Sequence, residues 1–165
     1  MVKSRFEQYV VRKPAIVRRA KDDYIDEVPA GDIIPVNSPI NTGPRVIFSN
    51  ELVKGAQTKV EYGYISGDTT VGNGQDFVPH KHDYAEIFLF LGTNPADTTE
   101  LGAEVEFWLG EGAEMEKVTF KTSACVFVPP GTAHFPQVWR NVRRPVMTMV
   151  IMPTSGTRNL IPVDR

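Results

Sequence analysis

Residues 79–86 read PHKHDYAE, and this stretch places two of the three histidines of the chain one residue apart. On a β-strand, side chains two residues apart lie on the same face, so His80 and His82 would point together. The segment Asp83-Tyr84-Ala85 follows, and then a carboxylate at Glu86. If that segment turns the chain, Glu86 begins the neighbouring strand and can face the same way.

The third histidine, His134, lies far along the chain in VPPGTAHFP. It comes just after Val128-Pro129-Pro130-Gly131, a strand end and turn that could carry it to the same place. Three imidazoles and one carboxylate suit a divalent transition ion, which leaves Fe, Mn, Ni, Co, Cu and Zn open. Four protein ligands on a six-coordinate ion leave two positions for water, substrate or oxygen, which is typical of a reactive centre.

The rest of the chain alternates in the way that half-buried strands do. Thirteen prolines and thirteen glycines leave few windows for long helices, and no βαβ pattern is present. Residues 93–104, TNPADTTELGAE, are predicted to be an exposed loop. The predicted strands are RVIFSNELV, TKVEYGYIS, DFVPHKH, EIFLFLG, EVEFWLG, EKVTFKT, SACVFVPP and RRPVMTMVIMP. The pattern predicts an all-β protein, a small barrel or a jelly roll.

The first 45 residues differ from the rest and are predicted to form an N-terminal arm and irregular segment before a barrel domain at 46–165. Residues 1–21 are strongly basic and contain one acid, Glu7. They fit either a solvated arm or an arm that crosses an acidic neighbouring subunit. Residues 22–45 are rich in Pro, Gly, Asp and Asn, and at most one short strand is expected there.

Composition limits the class of protein. The chain has 165 residues, of which 41% are hydrophobic and 23% charged, so one folded domain is expected. A net charge of −2 gives no global electrostatic case for binding nucleic acid or a membrane surface. A single cysteine, Cys125, excludes an intramolecular disulfide, favours a reducing compartment and is expected to be buried. Without an apolar bilayer-length run or a signal sequence, a cytoplasmic protein is predicted.

Two motifs resemble those of the cupin superfamily. The first cupin motif has a Gly, five residues, His-x-His, three or four residues, Glu, six residues and a Gly. This chain has Gly74, QDFVP, His80-Lys81-His82, Asp83-Tyr84-Ala85, Glu86, IFLFL and Gly92, so that only the last spacing departs, being five residues.

The second cupin motif has a Gly, five residues, Pro-x-Gly, two residues, His, three residues and an Asn. The chain matches it through Pro129-Pro130-Gly131, Thr132-Ala133 and His134. Ser123 stands at the Gly position and Val138 at the Asn position. These departures fall on turn and strand positions and leave the histidine in place. The resemblance covers about residues 58–152.

The resemblance implies a small single-domain cupin of the cupin 2, RmlC-like kind, a jelly-roll β-barrel with an N-terminal arm. It implies that one divalent transition metal ion, Fe, Mn, Ni or Zn, is held by His80, His82, Glu86 and His134. A homodimer or higher homo-oligomer is expected. The predicted function is that of a metal-dependent enzyme of the dioxygenase or lyase/isomerase type, which acts on a small organic molecule. The alternative is a non-catalytic cupin that binds a small ligand through the metal.

The sequence indicates residues for proton transfer less clearly than it indicates the metal ligands. Tyr62 and Tyr64 share a strand face that could point into the barrel, although core tyrosines with bonded hydroxyls are commoner. Glu104 and Glu106 could enter the cavity, although their strand face could equally be solvated. Tyr64 and Glu106 are the predicted catalytic residues.

Residues after His134 offer further candidates. Gln137 and Trp139 are candidates for the cavity mouth. A cluster of arginines, Arg140, Arg143 and Arg144, fits a surface turn or a carboxylate-binding group.

Overall fold

The computed structural model describes most of the chain from residue 52 onward and parts of the segment before it. Two short 3₁₀ helices, Glu7–Tyr9 and Gly112–Glu114, stand among many strands. None of the helices in the described ranges has the length and apolar character needed to cross a membrane, and the cytoplasmic location stays a prediction. The described residues are 4–12, 15–19, 25–29, 41–42, 45–48, 52–73, 78–155 and 160–164.

One antiparallel sheet contains seven strands. Their spatial order is β10-β7-β12-β4-β3-β1-β2. They span Ala15–Arg19 (β1), Ile25–Pro29 (β2), Arg45–Phe48 (β3), Lys59–Ile65 (β4), Glu86–Leu91 (β7), Ala124–Val128 (β10) and Val146–Met152 (β12).

The other antiparallel sheet contains six strands. Its order is β13-β6-β11-β8-β9, and β5 pairs with β11 beside β6. The strands span Thr69–Val71 (β5), His80–Lys81 (β6), Glu100–Leu109 (β8), Glu116–Thr122 (β9), His134–Arg140 (β11) and Ile161–Pro162 (β13).

The two sheets pack face to face around an aromatic core. Phe88 and Phe90 of the seven-stranded sheet meet Phe107 and Trp139 of the six-stranded sheet, with Phe88 and Phe107 ring centroids 5.1 Å apart. Alternate residues of β4, β7, β8 and β12 are buried, as the period of a half-buried strand requires. The predicted all-β jelly-roll fold is confirmed, with the described strands arranged as two sheets.

The N-terminal segment was predicted to be a solvated arm or an arm that crosses a neighbouring subunit, and the structure differs from both. Residues Ala15–Arg19 pair with β3 of the same chain and with Ile25–Pro29, so both segments extend the seven-stranded sheet. The sequence did not predict β1, which lies between β3 and β2 and not at the edge of the sheet. The domain boundary at residue 45 stays a prediction, and Gly74 of the first motif lies outside the described residues.

Several further segments were assigned incorrectly from the sequence, including β5 and β13, which were not predicted as strands. The predicted loop at residues 93–104 ends early, because β8 begins at Glu100 and buries Leu101. The strand β11 was not predicted, since Pro136 interrupts its alternation and proline is normally depleted from strand interiors.

On β3, β4, β7, β10 and β12, the outer face of the seven-stranded sheet is apolar, and it differs from two predictions. Tyr62 and Tyr64 lie on this face, 36% and 46% exposed, instead of pointing inward. Cys125 is exposed there rather than buried. We call this surface the apolar outer face. Its described members are Val46, Phe48, Val60, Tyr62, Tyr64, Ile87, Leu89, Leu91, Cys125, Phe127, Met147, Met149 and Ile151.

Gly92, the last residue of the first motif, lies where the chain passes against another strand. A Cβ atom at Gly92 would stand 1.8 Å from the backbone oxygen of Glu100. Its amide donates a hydrogen bond to Ser123 Oγ at 3.2 Å. The motif glycine is therefore required by close backbone approach, and the serine at the second motif's Gly position supports it.

We predict that Phe90→Ala lowers the free energy of unfolding by about 3–5 kcal/mol, because it empties a fully buried site. Urea denaturation followed by fluorescence measures the change. Phe6→Ala is the matched control, since Phe6 is 56% exposed and the same substitution should change stability by less than about 0.5 kcal/mol. Equal effects of the two substitutions would contradict the assigned core.

Candidate metal centre

Backbone pairing brings the two sequence motifs together. His80 of β6 lies directly opposite His134 of β11, so both imidazoles project from the same face of the six-stranded sheet. The amide of Gly131 donates a hydrogen bond to the carbonyl oxygen of His82 at 2.7 Å. Gly131 has φ +78°, which glycine adopts without strain. The turn that precedes His134 is thus tied to the backbone of the His-x-His segment.

The carboxylate reaches this cluster from the opposite sheet. Glu86 is the first residue of β7, where it pairs with Val128 of β10. It shares the inward parity of Phe88 and Phe90, and its side chain is buried. The four residues therefore meet in the space between the two sheets.

The donor atoms converge at short distances. The ligand nitrogens of His80, His82 and His134 all lie within 4.8 Å of one another. Glu86 Oε2 lies 3.0 Å from His134 Nε2, and Glu86 Oε1 lies 3.4 Å from His82 Nε2. The structure thus brings together all four residues proposed from the sequence.

Hydrogen bonds on the far side of two rings determine which nitrogen faces the cluster. His80 Nδ1 lies 2.8 Å from the carbonyl oxygen of Val78, and His134 Nδ1 lies 3.2 Å from that of Thr132. A carbonyl oxygen only accepts, so each Nδ1 carries a proton, and in the neutral ring Nε2 keeps its lone pair. This is the arrangement that orients histidines as metal ligands.

Burial makes the site poorly solvated. His80, His82, Glu86 and His134 are each between 1% and 5% exposed. The ring of Phe88 lies 5.6 Å from that of His134. A low local dielectric strengthens every charge interaction at the cluster.

These residues fit a divalent cation. Two donors about 2.1 Å from an ion stand about 3.0 Å apart at a right angle and about 3.4 Å apart at a tetrahedral angle. The two carboxylate–imidazole distances match this range. In addition, His134 Nε2 is buried and accepts no hydrogen bond from the described residues. A cation would use that lone pair and offset the buried negative charge of Glu86.

Tyr84 is a neighbour of the cluster that the sequence did not single out. Its ring stacks on His82 with centroids 4.6 Å apart and planes 12° from parallel. Its hydroxyl oxygen is buried. The only signal in the sequence was its position in the turn between two proposed ligands, which does not specify where the ring lies.

The structure does not bring the two predicted catalytic residues to this cluster. Tyr64 lies on the apolar outer face, on the side of β4 opposite the buried Ile65. Glu106 lies on the outer side of β8, where Lys117 Nζ is 3.2 Å from its Oε1. The reason is strand parity, since Val105 and Phe107 occupy the inner side of β8.

The other polar candidates also have structural contacts. Lys121 Nζ bonds Glu104 Oε1 at 2.8 Å, and this hydrogen bond lowers the pKa of the Glu104 carboxyl, which makes it a poor base. Arg143 and Arg144 both approach the carboxylate of Glu100 on the surface. Trp139 is a core residue, 1% exposed.

Comparisons with known proteins identify the fold. No family model matches the chain, and no curated relative matches it. A deletion mutant of the oxalate decarboxylase of Bacillus subtilis superposes with a TM-score of 0.53 and 7% identity, over 74% of this chain and 28% of its own chain. A second structure of that decarboxylase, from work on its Mn(II) centres, superposes with the same TM-score, identity and coverage.

Two other solved structures give similar results. The polyketide cyclase of Streptomyces resistomycificus superposes with a TM-score of 0.50 and 12% identity, over 81% of this chain and 78% of its own. The vicilin of Corylus avellana (hazelnut) has a TM-score of 0.51 and 9% identity, over 73% and 31%. This chain thus spans less than a third of the vicilin and decarboxylase chains. At such identities the likeness shows the fold, and the fold is that of the cupins.

We predict that His80 and His134 both carry their proton on Nδ1 in metal-stripped protein at alkaline pH, because each Nδ1 faces a carbonyl oxygen. Two-bond ¹⁵N–¹H correlation spectra of the imidazoles distinguish the tautomers. The assignments would be checked by replacing each histidine with glutamine in turn. Detection of the Nε2–H tautomer at either residue would contradict the proposed orientation of that ring.

Proposed function

We propose that this chain is a metal-dependent enzyme of the dioxygenase or lyase/isomerase type that acts on a small organic molecule. Its centre would be one divalent transition ion, Fe, Mn, Ni or Zn, held by three histidines and a glutamate. The observation that carries the proposal is the convergence of Glu86 on His82 and His134 at 3.4 and 3.0 Å. Such an ion supplies Lewis-acid chemistry at a substrate oxygen.

The residues of the chain would hold the donors in position and keep water away. The carbonyl oxygens of Val78 and Thr132 orient His80 and His134 through Nδ1. Tyr84 stacks on His82 and limits rotation of that ring. The buried ring of Phe88 excludes water beside His134, which strengthens the electrostatics of the site.

The donor set favours a reactive centre over a structural ion. Closed structural zinc sites use four ligands rich in cysteine, whereas this cluster contains none and its ligands come from both sheets. Imidazole and carboxylate donors suit ions that accept more than four ligands, which leaves room for a substrate oxygen. The Mn(II) centres of the bacterial oxalate decarboxylase, which shares the fold, are consistent with a transition ion here.

We predict near-stoichiometric metal in the wild-type protein and a loss of affinity of about 100-fold or more in Glu86→Gln, because one charged ligand is removed. Elemental analysis after reconstitution with each ion measures the stoichiometry. Glu106→Gln is the matched control and should bind metal as the wild type does, since Glu106 pairs with Lys117 on the outer side of β8.

The metal found directs the assay of activity. Iron would lead to measurements of oxygen consumption with phenols, diketones and thiols, whereas zinc, nickel or manganese would lead to lyase and isomerase assays. Ligand binding without turnover by the loaded protein would favour the non-catalytic alternative. Wild-type protein that takes up none of these ions would refute the proposal.

We also propose that two copies of the chain pair through the apolar outer face. None of its described members carries a charge, and Phe127 is 60% exposed. Soluble monomers rarely leave a contiguous apolar surface of this kind open. Met149 lies at its centre, between Leu89 of β7 and Tyr62 of β4. A two-fold axis would place each copy's face on the same face of the other.

We predict that Met149→Lys converts the dimer to a monomer, because the interface would bury an unpaired ammonium at its centre. Sedimentation velocity measures the state of association. Thr119→Lys introduces the same charged side chain on the exposed surface of β9 and should leave association unaltered. A wild-type protein that sediments as a monomer would contradict this proposal but not that of the metal centre.

A further inference from the structure

Strand β11 departs from regular geometry directly after His134. Its pairing with β8 shifts register between His134 and Gln137. The consecutive residues His134 and Phe135 are both buried, 1% and 7% exposed, although a regular strand would turn only one of them inward. Irregularities of this kind redirect a side chain, and they are over-represented next to functional sites. The side chain redirected here is that of Phe135.

The backbone of Phe135 adopts a conformation that costs free energy. Its φ is +77°, in the left-handed region that glycine enters without strain and that bulky residues rarely adopt. A glycine at this position would avoid the cost, but it would provide no ring. Strain at a residue that adjoins a candidate ligand is a reason to assign a function to its side chain.

The ring of Phe135 packs against two of the candidate ligands. Its centroid lies 5.0 Å from that of the His134 imidazole and 5.5 Å from that of the His80 imidazole. The same ring contacts Phe88 and Phe107, with centroids 5.8 and 5.7 Å away. Phe135 therefore connects the two imidazoles to the aromatic core.

Gly72 leaves room for this ring. It follows β5, which pairs with β11, and it is buried. A Cβ atom at Gly72 would stand 2.7 Å from both Cβ and Cδ1 of Phe135. A larger residue there would have to displace the ring. Close packing against Gly72 and against the aromatic core leaves the Phe135 ring little freedom to move.

We propose that Phe135 is a positioning residue whose ring fixes the orientation of the His80 and His134 imidazoles relative to each other. The carbonyl oxygens of Val78 and Thr132 orient each imidazole singly through Nδ1. Phe135 contacts both imidazoles, so it couples the two orientations and sets the geometry that they offer to an ion. This inference rests on the proposed metal-dependent function, and it adds to that function a residue that does not itself bind the ion.

The test compares two variants that remove the ring. Phe135→Ala keeps the strain of a positive φ, whereas Phe135→Gly relieves it. We expect both to bind Co(II) about tenfold or more weakly than the wild type, because groups that orient metal ligands contribute to affinity on this scale. We also expect both to change the visible spectrum of bound Co(II), which reports the coordination geometry of the ion.

Phe90→Ala is the matched control. Phe90 is fully buried, and its ring contacts other aromatic residues of the core. The substitution should lower the stability of the protein but leave the affinity for Co(II) and its spectrum as in the wild type. Unfolding curves and cobalt stoichiometry would be measured for every variant, so that the metal measurements refer to folded protein.

A second measurement requires no metal. In metal-stripped Phe135→Gly at alkaline pH, we expect two-bond ¹⁵N–¹H correlation spectra to show a measurable Nε2–H population at His80 and His134. An imidazole that is free to rotate leaves its carbonyl partner, and the Nδ1–H tautomer then loses its advantage. Phe90→Ala should keep the wild-type tautomers.

Three results would overturn the inference. The first is wild-type affinity, spectrum and tautomers in Phe135→Gly, and an altered Phe135→Ala beside it would assign the effect to the backbone. The second is the same spectral change in Phe90→Ala, which would assign it to general loosening of the core. If neither ring-free variant folds, a wild-type spectrum in Phe135→Leu, which keeps an apolar side chain without a flat ring, is the third.

Failure of the proposed function would be recognised separately. Wild-type protein that takes up no ion would refute the metal centre. The tautomers of the metal-stripped proteins would still show whether Phe135 positions the two imidazoles.

Discussion

The structure of the candidate site depends on one backbone contact, the hydrogen bond from the Gly131 amide to the His82 carbonyl oxygen. It joins two segments that are separated by the whole of β7 to β10. Beside it, the pairing of His80 with His134 places both imidazoles on one face. A positive φ at Gly131 lets the turn approach this closely. The geometry of the three histidines therefore depends on the backbone more than on contacts between their side chains.

A second constraint is the presence of charge between the sheets. Glu86, Glu61 and Lys59 are nearly inaccessible to solvent. Ion pairs in such surroundings often contribute little net stability, because desolvation opposes the attraction between the charges. The charges are confined to the inner face of the seven-stranded sheet, next to the residues that would hold a metal.

The outer faces of the two sheets differ in a way that the fold alone does not require. The six-stranded sheet displays charged pairs such as Lys117 with Glu106 and Lys121 with Glu104. On β3, β4, β7, β10 and β12, the apolar outer face of the other sheet has no charged member. The two sides of the molecule therefore differ in polarity. Strands β7 and β12 contribute to both surfaces, because alternate residues lie on the apolar outer face and in the core.

Much of the fold could be predicted from the sequence because strand alternation is a local property. The alternation of EIFLFLG predicted the strand that became β7, and the spacing of His80 and His82 indicated a shared face. Alternation alone does not say which side of a strand is inside. On β4, the sequence allowed Tyr62 and Tyr64 to point into the barrel, yet they face outward while Lys59 and Glu61 face the interior.

The sequence by itself thus determined the class of fold and the four residues that meet at the candidate site. Tertiary structure decided the orientation of β4, the course of β11 through Pro136 and the stacking of Tyr84 on His82. These features depend on which surfaces meet across the two sheets. Such contacts join residues far apart in the chain, and no local pattern of hydrophobicity or spacing specifies them.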